Sequence, residues 1–250
     1  MRDTNKSIGR WHWAAAGKHP AVRDFMEVGE AFPLFHALSQ WMEKGYQESS
    51  PGKDVASLHS WRFWARGGRK NAVACGLLKD SCDQVGRPYP LLIMGTGDLE
   101  GWEEHWDLLP LACETAWGQM ESFSTRMYKT FQELERDLLG MRVPATRWND
   151  FLTTAFSTYT SSPSRGLIEN FVPRDIFSVQ LEPLPAQEQK MQILAWHRLC
   201  KNHAEDLPVI VFMGNAGGES THLFMARRAL AVEDFKRLWA ENPAEKERSH

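Results

Sequence analysis

The sequence predicts an α+β fold: a mainly antiparallel sheet built from hairpins and flanked by long helices, an α/β/α sandwich. Three observations carry the prediction. In 61–66 (WRFWAR), Trp61, Phe63 and Ala65 alternate with Arg62, Trp64 and Arg66, the two-residue period of a strand with one apolar and one amphipathic face. Residues 209–214 and 221–227 form a second apolar pair across a loop containing Gly217 and Gly218, as a hairpin requires. Trp102, Trp106, Leu109, Cys113, Ala116, Met120, Phe123, Met127, Phe131, Leu134 and Leu138 recur every three or four residues, the period of a helix. Hairpins beside long amphipathic helices bury their apolar faces best in layers.

Taken in order, residues 9–16 (GRWHWAAA) read as a first strand that ends at Gly17-Lys18-His19-Pro20. Residues 31–45 carry Phe32, Phe35, Leu38, Trp41 and Met42 at helical spacing, with Gly45 placed to end the helix. A polar loop follows over 47–58. After the strand at 61–66, Gly67 and Gly68 with Arg69, Lys70 and Asn71 supply turn chemistry, and 72–78 is the returning strand. Asp83 is placed for an Asx turn, Gly86 permits a reversal, and Pro88 and Pro90 favour extended neighbours. The apolar run 89–94 is then a third strand buried on both faces.

Gly95-Thr96-Gly97 reads as a strand-to-helix turn, with Thr96 or Asp98 capping the next helix. That long helix should kink or break at Pro110 and over 118–124, where glycine and serines compete with the helical ladder. A second helix is expected over 144–158, then a loop at 160–165 (TSSPSR), a strand at 176–181, and a helix over 186–203 with Met191, Leu194 and Leu199 inward. After the second hairpin, 232–239 closes the chain as a short helix. The 160–165 loop is the one interior boundary candidate, and the chain is read as a single domain over 1–250 with an ordered core at 8–240 and flexible termini.

A chain of 250 residues with 42% hydrophobic and 24% charged residues is long enough for a substantial core and ordinary for a globular protein. Its net charge of -3 gives no general attraction to nucleic acid. The nearest basic patch is Arg62, Arg66, Arg69 and Lys70 with interleaved aromatics, and its plainer reading is a hairpin with one core face and one solvated face. The four cysteines show no C-x-x-C spacing, which suits reduced, buried thiols. No apolar run reaches membrane-spanning length, so a cytosolic protein without membrane insertion is expected. Signatures such as G-x-S-x-G, H-E-x-x-H and the Walker loop do not occur, and His197 with His203 lacks metal-ligand spacing. No catalytic residue, metal site or cofactor is therefore assigned.

The binding or structural candidates are Lys18, Asp24, Trp61, Arg62, Trp64, Asp83 and Arg87. Asp83 and Arg87, held by a Gly-Pro turn, either lock that turn internally or meet a partner. Lys18 and Asp24 share this ambiguity. Trp61 and Trp64, with Trp11 and Trp13, could expose an aromatic face, since such residues are enriched at interface hot spots.

The stretch from WRFW (61–64) through Ser81-x-Asp83-x-x-Gly86-Arg87-x-x-Pro90-Leu91 resembles the core motif of the TagF (ImpM) family of type VI secretion accessory proteins. An N-terminal motif of the form Gly-Lys-x-Pro-x-x-Gly-Asp-Phe is matched by Gly17, Lys18, Pro20, Asp24 and Phe25, with Arg23 where the pattern has glycine. Asp80 stands where the pattern has proline, and Val211-Phe212 where it has a tryptophan pair. The resemblance implies a cytosolic, non-enzymatic regulator that restrains secretion after translation by holding a component of the apparatus, such as its forkhead-associated scaffold protein. A structural adaptor without repressor activity, and a small hydrolase or transferase with an unrecognised site, are the competing readings.

Overall fold

A computed structural model describes residues 10–49, 59–157, 175–203, 206–216 and 221–240. Residues 50–58 of the loop expected over 47–58, the expected loops at 160–165 and around Gly217 and Gly218, and the expected flexible termini at 1–7 and 241–250, lie outside these residues. Eight strands, β1 (His12–Gly17), β2 (Met26–Gly29), β3 (His59–Arg66), β4 (Ala72–Lys79), β5 (Leu91–Asp98), β6 (Ile176–Gln180), β7 (Ile210–Ala216) and β8 (Thr221–Ala226), form one sheet ordered β2-β1-β5-β4-β3-β7-β8-β6. All neighbouring pairs are antiparallel. The α+β sandwich expected from the hairpins is therefore the observed architecture.

Strand alternation distributes the core onto both faces. Trp13, Ala15, Trp64, Val73, Cys75, Leu77, Ile93 and Val211 point to one side, where helices α2 (Leu109–Ala112), α3 (Glu114–Thr125), α4 (Phe131–Leu139) and α6 (Ala186–His203) contribute Leu109, Trp117, Leu134 and Trp196. Ala14, Ala16, Trp61, Phe63, Ala65 and Phe212 point to the other, against Phe35 and Trp41 of α1 (Pro33–Ser49) and Phe235 of α7 (Val232–Leu238). The remaining helix, α5 (Trp148–Ser157), follows α4.

Several boundaries differ from the sequence expectation, each for a tertiary reason. Helix α1 runs through Gly45 to Ser49 rather than ending at the glycine. A Cβ at Gly45 would lie 2.3 Å from Phe235 Cγ, so the missing side chain lets α1 and α7 touch. Gly95-Thr96-Gly97 is not a turn: β5 continues to Asp98, and Thr96 Oγ1 donates to the Val73 carbonyl at 3.0 Å instead of capping a helix. The rings of Trp13 and Trp11 lie on Gly95 and Gly97, occupying the space where side chains would stand. Asp98, the last residue of β5, instead pairs with Arg69 of the turn between β3 and β4 at 2.6 Å. The long apolar stripe is broken, but at Cys113, between α2 and α3, and at Arg126, whose ψ of 134° ends α3. Pro110 sits in the first turn of α2, where its missing N–H costs nothing. Strand β2 was not foreseen at all.

Candidate functional site

The best-built polar cluster joins two loops. The reversal between β4 and β5 is drawn tight by Gly86 at φ +82°, with Gly86 N–H donating to the Asp83 carbonyl at 2.9 Å. Asp83 Oδ1 accepts from the backbone N–H groups of Val85 at 3.1 Å and Arg87 at 2.9 Å. Its Oδ2 accepts from Arg87 Nε at 2.6 Å and faces Lys18 Nζ at 3.2 Å. The Asp83 side chain is fully buried by these partners. Burial alone would raise its pKa, but the Arg87 backbone N–H, the Arg87 and Lys18 side chains and the Val85 N–H outweigh it and hold it at about 2.

Arg87 carries the clamp outward to the loop between β1 and β2. Its Nη2 donates to the Arg23 carbonyl at 2.8 Å and lies 3.4 Å from Asp24 Oδ2, while Gln84 N–H donates to the Val22 carbonyl at 2.8 Å. Arg23, at the position where the family pattern has glycine, does not adopt positive φ; among the described residues Asn71 is the one non-glycine that does. The arginine is accommodated because its carbonyl, not an unusual backbone angle, is what Arg87 reads. Arg87 is nevertheless 54% exposed at its side chain, so the internal and outward-facing readings of this residue coexist in one geometry. Phe25, 49% exposed, and Val85, 67% exposed, stand on the two clamped loops.

The structure thus brings Lys18, Asp24, Asp83 and Arg87 together, and places the WRFW candidates elsewhere. Trp61 and Trp64 do not expose an aromatic face, and neither do Trp11 and Trp13; all four are buried. Trp61 Nε1 donates to the Leu238 carbonyl at 3.2 Å on the α1/α7 side. Trp64 Nε1 donates to His197 Nε2 at 3.2 Å on the opposite side, and His197 Nδ1 donates to the Ile193 carbonyl at 2.8 Å. Burial depresses the His197 pKa to about 4, only partly offset by Ile193 and Asp107, so the ring is neutral and acts as a core polar link. Arg62 crosses from β3 to α3, where Nε and Nη2 grip Glu121 at 2.7 and 3.0 Å and Nη1 reaches Glu114 at 3.3 Å.

Sequence reasoning missed the pairing of Asp80 with His59 and Trp239. Asp80 Oδ2 accepts from the His59 backbone N–H at 2.9 Å and lies 2.7 Å from its Nδ1; Oδ1 accepts from Trp239 Nε1 at 2.9 Å, and Asp80 N–H donates to the His59 carbonyl at 2.9 Å. A proline there could make neither the side-chain contacts nor the last bond. The exposed Val85 was also missed; an apolar residue in an otherwise polar turn was its one available signal.

The TagF N-terminal domain, described as type VI secretion system-associated, matches residues 14–140, just over half of the chain, and that span contains Lys18, Asp24, the WRFW strand, Asp83 and Arg87. The chain belongs to the TagF family. It is therefore a type VI secretion-associated protein. Among solved structures, PA0076 from Pseudomonas aeruginosa PAO1 is similar at 15% identity and a TM-score of 0.45, covering 92% of this chain and 94% of that one. No curated protein sequence matches the chain. Among the described residues, no helix is long and apolar enough to cross a membrane.

Proposed function

We propose that this TagF-family protein is a cytosolic, non-enzymatic accessory factor that restrains a type VI secretion system after translation by binding a component of the apparatus, such as its forkhead-associated scaffold protein. The observation that carries this reading is the clamped pair of loops, where Phe25, Val85, Asp24 and the outer half of Arg87 remain exposed above a buried and fully satisfied Asp83. An exposed apolar side chain on each of two clamped loops, with charged groups beside them on a rigid support, is the composition of a small protein-binding patch. The same geometry weighs against acid-base chemistry at this cluster, because a carboxylate with four donors and a pKa of about 2 takes up no proton near neutral pH.

The test is export of the system's tube protein. Deletion of the gene is expected to raise export and overproduction to lower it, and unchanged export in both strains would remove the regulatory claim. Phe25→Ala with Val85→Asp, both at exposed positions, should leave the melting temperature near wild type while abolishing capture of the apparatus component. Capture at wild-type strength by that variant would move the binding surface elsewhere.

A further inference from the structure

The described residues enclose a second feature, a cleft of about 350 Å³ between α3 and α6, floored by Arg62 and Met213 and walled by Glu114, Trp117, Lys190 and Ile193. That volume lies at the lower end of small-molecule sites. Two properties point to an anion with an apolar body. Glu114 spans the cleft as an internal carboxylate, with Oε2 3.3 Å from Arg62 Nη1 and Oε1 3.0 Å from Lys190 Nζ, so the two cations are already spaced to share one carboxylate. The first turn of α6, at Ala186 and Gln187, lines the rim and adds the positive end of an 18-residue helix.

Arg62 retains capacity beyond its present bonds. Three of its donor atoms serve Glu121 and Glu114, one N–H each, whereas a guanidinium has five N–H groups in all. Its planar head also covers the Trp117 ring at 5.8 Å, which fixes the cation against the cleft wall. Glu114 is 37% exposed at its side chain and can swing to solvent without leaving a buried charge.

We propose that this cleft binds a small amphipathic carboxylate, which replaces Glu114 between Arg62 and Lys190 and lays its apolar body against Ile193 and Met213. Glu114 is then a built-in competitor that the ligand displaces. The site lies apart from the clamped loops and does not depend on the regulatory reading.

Phenylacetate serves as the probe, followed through the indole N–H resonances of the eleven tryptophans by heteronuclear NMR, with the Trp117 signal assigned by its loss in Trp117→Phe. Phenylacetate is expected to shift that signal saturably, and the neutral analogue phenylethanol to leave it unmoved. Glu114→Gln should tighten binding by removing the competitor, and adding Lys190→Gln in that background should weaken it about tenfold through the loss of one charge-assisted bond. A Trp117 signal unmoved at millimolar phenylacetate, equal shifts from phenylethanol, or unchanged affinity at either step would overturn the proposal.

Discussion

Substitution of Gly95 by alanine offers a direct measure of how tightly β1 lies on β5. Trp13 and Gly95 are cross-strand partners, and an added Cβ would meet Trp13 Cε3, Cζ3 and Cδ2 at 2.3, 2.4 and 2.7 Å. The ring would have to retreat by about 1 Å to reach ordinary contact. It has little room, being 3% exposed and stacked on Trp11 at 5.6 Å between centroids. Overpacking of this kind costs about 1–3 kcal/mol. Replacing glycine inside a strand returns about 0.5–1 kcal/mol of backbone entropy. The net expectation is a loss of about 1.5 kcal/mol, or roughly 3–6 °C in melting temperature for a chain of this size. Urea unfolding of Gly95→Ala, Trp13→Ala and the double variant closes the cycle. With the ring removed, the same alanine should become stabilising by about 0.5 kcal/mol or more, a reversal of sign. An equal loss in both backgrounds, or a gain in the wild type, would refute the close-packing argument.

Asp83 and His197 give opposite-looking acid limbs that share one sign. The folded pKa of Asp83, about 2, lies below its ordinary 3.8, so its stabilising contribution is present above about pH 4 and lost as pH falls toward 2; Asp83→Asn should flatten the stability curve there. The folded pKa of His197, about 4, lies below its ordinary 6.5, so the unfolded chain binds the extra proton and stability declines as pH falls from 6.5 to 4; His197→Gln should remove that slope, and an unchanged slope would place its origin elsewhere. Cutting the chain within 160–165 should not release two independently stable fragments, because the cut separates β3 from β7, which pair over seven registered positions at the centre of the sheet. Two separate melting transitions after proteolysis would contradict this.

Period and turn chemistry made most of the fold legible. The 61–66 alternation, the helix over 186–203 and the hairpin at 209–227 reflect local rules, and local rules are what a sequence displays. The errors arose where a distant residue decided the outcome. Gly45 and Gly95 are turn or stop signals in isolation, yet Phe235 and Trp13 make each an absence of side chain inside a regular element. Strand β2, four residues long, alternates correctly but is too short for its period to stand out. At the candidate site the conformation of the Asp83 turn was readable from aspartate, glycine and proline spacing. Its connection to Lys18 and Arg23 was not, since that contact joins loops separated by more than sixty residues.

Strand order also governs how this protein emerges from the ribosome. The five strands β1 to β5 are complete once residue 98 is made, but the free side of β3 has no partner until β7 arrives at 210–216. At bacterial or eukaryotic elongation rates of about 5–20 residues per second, synthesis of that intervening chain takes about 6–25 seconds. During that interval the hydrogen-bonding edge of the WRFW strand is open, with Phe63 lacking its ring contact with Phe212 and Trp61 its bond to the Leu238 carbonyl. Nascent chains stalled before β7 are therefore expected to be captured by holdase chaperones or to aggregate, and those carried past β8 to be released soluble.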